Sequence, residues 1–394
     1  MDKQIDPAAR RIFCKCCLAP AVIAASGVGQ AAQAGWLDFL TGETAPKASG
    51  KASVVPGWKW SKKAGHFKKM DRIVQCQLCP NGCRLHRNGR GTCRVRVNKN
   101  DVLYSLVYGN PAAIHIDPIE KKPLYHFYPG TDSFSLGFAG CNLSCLNCQN
   151  WELSQKKPEE LQNYSCFPHQ AVETAMQKKC RSIAYTYNEP SVVFEFMHDT
   201  ARLAHLKQLK NVWVTNGYIN REPLLELCEC IDGANVDLKS FSDDVYRKLN
   251  FGRLQPVLDT LKTLHEQNVW FEITTLIVPA YTDDSAMIRD MCAWIVDTIG
   301  GDHPIHFSRF GPHYKLKHLP PTPPSKLLEA RDIARSAGIN YVYIGNYRTG
   351  DGGTTFCPGC RAKVIERIGY VITGMNLKGG ACGACGHKIA GRWS

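Results

Sequence analysis

Eleven of the 19 cysteines fall into three tightly spaced groups, and this spacing constrains the chain more than any other feature. Disulfide frameworks belong to short secreted domains with small cores, whereas 394 residues leave room for a large buried core. Short C-x2-C and C-x3-C spacings instead place several thiolates around one ion or cluster. The cysteines therefore predict metal ligation at three places: Cys76, Cys79, Cys83 and Cys93 (the N-terminal quartet); Cys141, Cys145 and Cys148 (the triad); and Cys357, Cys360, Cys382 and Cys385 (the C-terminal quartet).

The triad supplies three ligands, where a zinc or ferredoxin site normally supplies four. Three cysteines can bind three irons of a [4Fe–4S] cluster and leave the fourth iron without a protein ligand. Such an open iron can chelate the amino and carboxylate groups of S-adenosylmethionine (SAM). An electron from the cluster then breaks the C5′–S bond and gives methionine and a 5′-deoxyadenosyl radical. The cofactors carry this chemistry, while the protein orients them and excludes solvent.

From about residue 134 onward, short β-rich runs alternate with helical stretches, which predicts a parallel sheet with crossover helices. Six or seven such units suit an α/β fold of the partial or full (β/α) barrel type, whose site lies at the carboxyl ends of the strands. The predicted strands are Phe134–Phe138, Ile183–Tyr187, Val212–Thr215, Ala234–Leu238, Trp270–Val278, Pro304–Ser308 and Tyr341–Ile344. The predicted helices include His169–Lys179, Leu224–Ile231, Val257–Gln267, Ala286–Ile299 and Lys326–Ala337.

Six stretches of this chain resemble the radical SAM superfamily, and more closely its branch related to pyruvate formate-lyase activating enzymes. Within that branch the sequence most resembles the radical SAM enzyme of the AmmeMemoRadiSam system. The resemblance covers about residue 72 to the end, with its motifs in family order. The stretches are Gly140–Trp151, Asp117–Phe127, Tyr185–Pro190, Val214–Tyr218, Asp237–Lys239 and His306–Phe310.

The resemblance implies a radical SAM enzyme, an oxidoreductase similar to glycyl-radical activating enzymes. It would use a [4Fe–4S] cluster and SAM, a low-potential electron donor of the flavodoxin or ferredoxin type, and a protein or small-molecule substrate. Tyr187, Asn188 and Glu189 would take the place of the family motif that hydrogen-bonds the SAM amino group. The residues implied to face the ribose, the carboxylate or the substrate are Asn216, Asp237, Lys239 and His306.

The two quartets are predicted to form small metal-binding modules at the two ends of the barrel. For the N-terminal quartet the spacing leaves zinc and an auxiliary iron–sulfur cluster both open. The C-terminal quartet, with Cys357-x2-Cys360 and Cys382-x2-Cys385, has the pattern of a zinc ribbon, in which two knuckles close one tetrahedral site. A rubredoxin-like iron site is the alternative there.

The N-terminus has the order of a secretory signal. Ala9–Lys15 is close to the twin-arginine pattern, a mildly apolar stretch follows, and Ala32-Gln33-Ala34 offers a cleavage site. The apolar stretch is well short of the ~20 residues needed to span a bilayer. We therefore expect export to the periplasm, with a cytoplasmic location as the alternative. The predicted divisions are 1–34 signal, 35–70 linker, 71–125 N-terminal four-cysteine region, 126–350 barrel and 351–394 C-terminal module.

The net charge of +13 resides entirely in residues 1–100, so residues 101–394 carry no net charge. A protein that follows a phosphate backbone needs basic residues along its main groove, so nucleic acid is not an expected partner. Two alternative functions stay open at this point. One is an iron–sulfur electron-transfer protein, which predicts no SAM binding, and the other is an RNA-modifying radical SAM enzyme.

Overall fold

The computed structural model describes residues 58–393. The predicted signal, the linker residues up to 57 and the cysteines at positions 14, 16 and 17 lie outside the described residues. Strands β1–β6 precede the main sheet, β7–β14 form it and β15–β19 follow it. The bounds of β1–β6 are Lys62–Lys63, Phe67–Met70, Ile73–Cys76, Arg84–His86, Arg96–Lys99 and Val102–Ser105.

The main sheet contains eight strands in chain order, and each of the seven predicted strands is one of them. The central segments of the seven predicted strands are rich in apolar and β-branched residues and are largely buried, as expected for parallel strands covered by helices. The bounds of β7–β14 are Ala113–Pro118, Asp132–Gly137, Ser182–Tyr185, Lys210–Thr215, Gly233–Asp237, Trp270–Ile277, Ile305–Arg309 and Val342–Gly345.

Strands β8 to β14 pair in parallel, whereas β7 pairs antiparallel with β8. Within residues 58–393, β7 and β14 are the two edges of the sheet and do not pair with each other. The sheet is therefore open, which confirms the partial form of the predicted barrel and not the closed one. Because β7 belongs to the sheet, the barrel begins before residue 126.

Helices connect the parallel strands and cover one face of the sheet, as the alternating sequence predicts. The helix Phe194–Leu206, which follows the turn after β9, adds to those singled out in the sequence. Helices α1–α8 span Trp151–Ser154, Pro168–Gln177, Phe194–Leu206, Arg221–Cys228, Asp243–Val245, Gln255–Glu266, Ser285–Ile299 and Pro324–Ser336.

The other face of the sheet surrounds a polar interior that is closed at the amino ends of the strands. Leu124 and Phe127, from the segment between β7 and β8, pack there against Ala184, Val212 and Trp270. This plug leaves the carboxyl ends of the strands as the accessible end of the interior.

The N-terminal module consists of two three-stranded sheets, ordered β1-β6-β5 and β2-β3-β4. Trp60 is buried, and Trp58 donates a hydrogen bond from Nε1 to the carbonyl of Leu106 at 3.0 Å. Strands β1 and β2 lie within the segment predicted to be a linker. The folded region therefore begins before residue 70, because pairing with β6 and β3 overrides the polar composition of this segment.

The C-terminal module contains β15–β19, with bounds Thr355–Phe356, Lys363–Ile368, Val371–Met375, Leu377–Lys378 and Ala381–Cys382. It packs on the plugged end of the barrel. Arg367 donates to the carbonyl of Tyr125 at 2.7 Å, and His126 contacts the carbonyl of Ala390 at 2.6 Å. Within the described part of the chain, no helix is both long and apolar enough to cross a membrane.

Candidate active site

The triad lies in the loop between β8 and α1, directly after the first parallel strand. Each of its thiols has a polar hydrogen close by. The backbone N–H of Leu143 donates to Sγ of Cys141 at 3.4 Å, and Ser154 Oγ lies 3.1 Å from Sγ of Cys148. Asn250, at the end of the π-helical turn Tyr246–Asn250, donates from Nδ2 to Sγ of Cys145 at 3.2 Å. These donors suit thiolates, which are the form that binds iron.

The environment of the free thiols favours their protonated form. Burial raises the pKa of Cys141 well above its ordinary value, and Glu189 raises it further. Burial also raises the pKa of Cys145, although the ammonium group of Lys239 opposes the shift. A metal must therefore displace these protons when it binds, since only thiolates are ligands. The donor set, three buried or half-buried thiols with hydrogen-bond donors, fits an iron–sulfur cluster.

The predicted SAM-contact residues that follow β9 lie beside the triad loop, but the side chains of Tyr187, Asn188 and Glu189 already have protein partners. Tyr187 donates from its hydroxyl to Asp117, and Asn188 donates from Nδ2 to the carbonyl of Gly140 at 2.9 Å. Glu189 is buried and accepts hydrogen bonds from Ser191, Thr215 and the backbone N–H of Asn216. These side chains hold the loop and the strand ends in place. Contact with the SAM amino group stays a prediction for them.

Asn216 lies at the carboxyl end of β10, against the triad. Its Nδ2 group is 3.7 Å from Sγ of Cys141 and donates to Oδ1 of Asn142 at 2.9 Å. The structure therefore brings this predicted residue to the cysteine loop.

Asp237 and Lys239 lie at the end of β11 and form an ion pair of 2.8 Å. Burial acts to lower the pKa of Lys239, but Asp237 and the thiolate of Cys145 outweigh it and hold the pKa above its ordinary value. The pair places a cation beside Cys145 and leaves Asp237 partly exposed at the open end of the interior.

His306 does not belong to this group, which corrects the prediction from the sequence. It is the second residue of β13, so it lies at the amino end of the strand. Its Nε2 atom is 2.7 Å from Oε2 of the buried Glu272, whose oxygens also accept the backbone N–H groups of Tyr125 and His126. His306 is 3% exposed. It therefore belongs to the plugged end of the barrel, away from the carboxyl ends.

Two charged residues of the interior, Asp117 and Lys122, were not assigned a role from the sequence. Lys122 is 1% exposed and donates to Oδ2 of Asp117 at 2.6 Å, and the same oxygen accepts the Tyr187 hydroxyl at 2.5 Å. Burial lowers the pKa of Lys122 to about 8. Although burial acts to raise the pKa of Asp117, Lys122 and Lys121 hold it below its ordinary value. The sequence does contain a sign of this pair, because in the stretch Asp117–Phe127 two lysines closely follow an acidic residue.

The C-terminal quartet has the geometry of a site for one metal ion. Sγ of Cys357 lies 3.6 Å from Sγ of Cys385, and Sγ of Cys360 lies 3.8 Å from Sγ of Cys382. Four sulfurs around one ion at ~2.3 Å are ~3.8 Å apart in a tetrahedron. Backbone N–H groups of Ala384 and Cys385 lower the pKa of Cys382 to about 7. The quartet could therefore hold a metal ion.

Two sulfurs of the N-terminal quartet lie beside Gly91, and the backbone of Cys93 approaches Gly140, the residue before the triad. Cys83 and Cys93 place their Sγ atoms 3.7 and 3.6 Å from the position that a Cβ atom on Gly91 would occupy. Burial raises the pKa of Cys79 above its ordinary value, and the neighbouring thiolates of Cys76, Cys93 and Cys83 raise it further. The four cysteines therefore lie close enough to one another to interact electrostatically.

An open, mostly parallel α/β sheet with a three-cysteine loop after its first parallel strand defines the class of this protein. The model of the Radical SAM superfamily matches residues 136–292. The chain therefore contains a radical SAM superfamily domain, and that superfamily implies reductive cleavage of SAM by an iron–sulfur cluster.

Two curated relatives and one solved structure show how far the similarity extends. An uncharacterized protein of Methanocaldococcus jannaschii, MJ0808, is 43% identical over 331 residues, which are 83% of this chain and 98% of that protein. Pyruvate formate-lyase 1-activating enzyme of Escherichia coli is 26% identical over 159 residues, 37% of this chain and 61% of the enzyme. A radical SAM methyltransferase from Sphaerobacter thermophilus aligns over 75% of this chain and 78% of its own, with 12% identity and a TM-score of 0.43.

Proposed function

We propose that this protein is a radical SAM enzyme whose triad ligates a [4Fe–4S] cluster and whose product radical abstracts hydrogen from a protein or small-molecule substrate. The observation that carries the proposal is the triad itself. It provides three thiols in one loop, each beside a hydrogen-bond donor, at the carboxyl end of a parallel sheet. The superfamily match includes this loop.

When bound, the cluster and SAM supply the radical that takes the hydrogen atom. The chain's own residues position the ligands of the cluster and restrict access to the site. Asn250 and Leu143 donate to thiolates, and Asn188 ties the turn after β9 to the residue before the triad. Lys239 offsets the negative charge at Cys145. Because Leu124 and Phe127 plug the other end, substrate would enter at the carboxyl ends of the strands.

Several finer assignments accompany this proposal. The resemblance to the AmmeMemoRadiSam enzyme, and the similarity to a glycyl-radical activating enzyme over 159 residues, support a reaction of the activating-enzyme type. The short sulfur–sulfur distances of the C-terminal quartet support zinc there. A flavodoxin or ferredoxin would supply the electron. The twin-arginine pattern at Ala9–Lys15 supports export.

Formation of 5′-deoxyadenosine tests the proposal. The protein, reconstituted with iron and sulfide without oxygen, is reduced with dithionite and mixed with SAM, and the product is followed by chromatography. We expect product from the wild type and none from Cys145→Ala. Cys228→Ala is the matched control, because Cys228 is half-buried and lies outside the triad and both quartets. It should retain activity.

An intact cluster that forms no product and whose electron paramagnetic resonance spectrum does not respond to SAM would contradict the proposal. That result would favour the electron-transfer alternative. A spectrum that changes on addition of SAM, without product, would instead show that SAM binds and that cleavage requires the substrate. Co-purified RNA that a nuclease removes together with activity would favour the RNA-modifying alternative.

A further inference from the structure

The three cysteine groups differ in how closely their sulfurs approach one another. Within residues 58–393, the C-terminal quartet is the one group that brings three or more ligand atoms within 4.8 Å of one another. The sulfurs of the N-terminal quartet are therefore more widely spaced, as are those of the triad. A single tetrahedral ion requires sulfurs ~3.8 Å apart. In a [4Fe–4S] cluster each cysteine binds a different iron, so the sulfurs lie further apart.

A buried arginine beside the N-terminal quartet has unused hydrogen-bond donors. Arg96 is 1% exposed, and its Nη2 group donates to both carboxylate oxygens of Glu195, at 2.7 and 2.8 Å. Its Nε and Nη1 groups are buried and have no partner among the described residues. A buried donor without an acceptor costs about 1–3 kcal/mol, and more when it is charged. These donors therefore require an acceptor, and the described residues do not provide one.

Arg96 lies against the quartet. Its carbonyl oxygen accepts a hydrogen bond from the N–H group of Gly91 at 2.8 Å, and a Cβ atom on Gly91 would lie 3.6 Å from Sγ of Cys93 and 3.7 Å from Sγ of Cys83. Arg84 is exposed, and three other nearby arginines have protein partners, among them Arg94, which donates to Gln155 at 2.9 Å. Arg90 pairs with Glu159, and Arg87 donates to Asn100 at 2.6 Å. Arg96 is thus the residue whose charge and free N–H groups are available to an anionic group held by these cysteines.

We propose that Cys76, Cys79, Cys83 and Cys93 bind a second [4Fe–4S] cluster, and that Arg96 donates hydrogen bonds from Nε and Nη1 to its sulfurs. Four cysteine ligands leave no open iron, so this cluster does not bind SAM. Hydrogen bonds and positive charge at the sulfurs stabilise the reduced, more negative form and raise the reduction potential. The inference concerns metal content and holds whether or not the triad cleaves SAM.

The site adjoins the triad loop. The carbonyl oxygen of Cys93 lies 2.3 Å from the position that a Cβ atom on Gly140 would occupy, one residue before Cys141. Asn81, between two quartet cysteines, donates from Nδ2 to the carbonyl of Asn142 at 2.7 Å. The backbone segments that carry the two cysteine groups are therefore in direct contact.

Metal analysis of a variant without the triad tests the site. Cys141→Ala, Cys145→Ala and Cys148→Ala are combined, the protein is reconstituted with iron and sulfide without oxygen, and iron, sulfide and zinc per chain are measured. We expect about four irons and about four sulfides per chain to remain. Zinc in place of iron, or a folded protein that retains neither iron nor sulfide, would overturn the proposal.

A second measurement keeps the test decisive if the triple variant does not fold. The reconstituted wild type should contain about eight irons per chain, and the variant with all four quartet cysteines changed to serine about four. A wild type saturated at about four irons would also overturn the proposal.

The role of Arg96 is tested by redox titration of the cluster that the triple variant retains. Arg96→Lys keeps a positive charge but removes the Nε and Nη1 donors, and we expect a lower midpoint potential with unchanged iron content. Arg87→Lys is the matched control, since Arg87 has its partner in Asn100, and it should leave the potential unchanged. An unchanged potential in Arg96→Lys would overturn the assignment of Arg96.

Discussion

The side-chain amide of Asn250 donates from Nδ2 to Sγ of Cys145 at 3.2 Å, across 105 residues of sequence. Asn250 is fully buried, and its Oδ1 atom has no partner among the described residues. Nothing in the cysteine spacing points to this residue. It ends the π-helical turn after α5, which brings it under the triad loop, where Ser144 and Leu146 also donate backbone hydrogen bonds to residues 250 and 249.

We predict that Asn250→Ala lowers the reduction potential of the triad cluster. A hydrogen bond to a charged group contributes about 1.5–3 kcal/mol, and its loss disfavours the more negative reduced form. The rate of 5′-deoxyadenosine formation should fall while iron content stays near that of the wild type. Asn211→Ala is the control, because Asn211 is equally buried and donates to the Ala201 carbonyl instead. Equal potentials in both variants would contradict the prediction.

Substitutions at His306 and at Lys239 should have different effects, because the two residues lie at opposite ends of the barrel. His306→Ala leaves buried Glu272 without one hydrogen-bond partner, so we expect a loss of about 1–3 kcal/mol in the free energy of unfolding. SAM affinity should stay within about twofold, a difference of about 0.4 kcal/mol, because His306 lies at the plugged end of the barrel and bonds Glu272 there. Lys239→Met should instead reduce 5′-deoxyadenosine formation by about tenfold or more. Denaturant unfolding, SAM titration and 5′-deoxyadenosine formation are measured for both variants, and weak SAM binding by His306→Ala would contradict this assignment.

The strands and their order were predictable from sequence, whereas the position of each residue along a strand was not. The run around His306 is apolar and predicts a strand correctly. Pairing of His306 with Thr274, however, sets where β13 begins, and this places the histidine at its amino end. Register depends on contacts between distant segments, which periodicity does not encode.

The cysteine ligands were also predictable, because their spacing is local, but the partners of the polar residues were not. Tyr187 bonds Asp117 across 70 residues, and Glu189 bonds Thr215 across 26. Strand β7 was missed for a related reason. It is an antiparallel edge strand that ends in Pro118, and His115 and Asp117 interrupt it, so its sequence lacks the continuous apolar run of the central strands.

Removing the acid of the buried pair Asp117–Lys122 should destabilise the fold. Asp117→Asn leaves the Lys122 ammonium without its counter-charge, and we expect a loss of about 3–5 kcal/mol. The double variant Asp117→Asn, Lys122→Met should recover part of it, because no buried charge remains. Thermal or denaturant unfolding of the single and double variants measures the coupling between the two residues. A double variant less stable than Asp117→Asn would contradict it.

The pair Asp117–Lys122 also predicts the direction in which the free energy of unfolding changes with pH. The pKa of Lys122 is about 8 in the folded protein and 10.5 in the unfolded chain. Between these values the unfolded chain binds more protons at this residue, so its contribution makes the protein more stable as pH rises. In Asp117→Asn the pKa of Lys122 in the folded protein falls further. The pH range over which Lys122 makes the protein more stable with rising pH therefore extends to lower pH. Comparing the pH dependence of unfolding in Lys122→Met and the wild type isolates this contribution.

Loss of metal from the C-terminal quartet should destabilise the plugged end of the barrel as well as the C-terminal module. Cys360→Ser removes one metal ligand. Loss of a bound metal is among the changes that lower the free energy of unfolding by about 4 kcal/mol or more. Since Arg367 and Ala390 bond the barrel plug at Tyr125 and His126, we expect easier proteolysis there too. Metal analysis and limited proteolysis check this, with Cys228→Ser as the control. A variant that loses the metal but melts like the wild type would contradict the prediction.

Gly140 is predicted to set the distance between the N-terminal module and the triad. Its φ is +88°, and a Cβ atom would lie 2.3 Å from the carbonyl oxygen of Cys93 and 2.7 Å from Val95 Cγ1. Gly140→Ala therefore adds a backbone clash to the ordinary left-handed cost of about 1–2 kcal/mol. Gly369→Ala is the control for that ordinary cost, because Gly369 has a φ of +62° and nothing within 4 Å of its Cβ position. We expect Gly140→Ala to be less stable than Gly369→Ala and to hold less iron after reconstitution. Equal stability and equal iron content in the two variants would show that the contact between Cys93 and Gly140 does not constrain the triad loop.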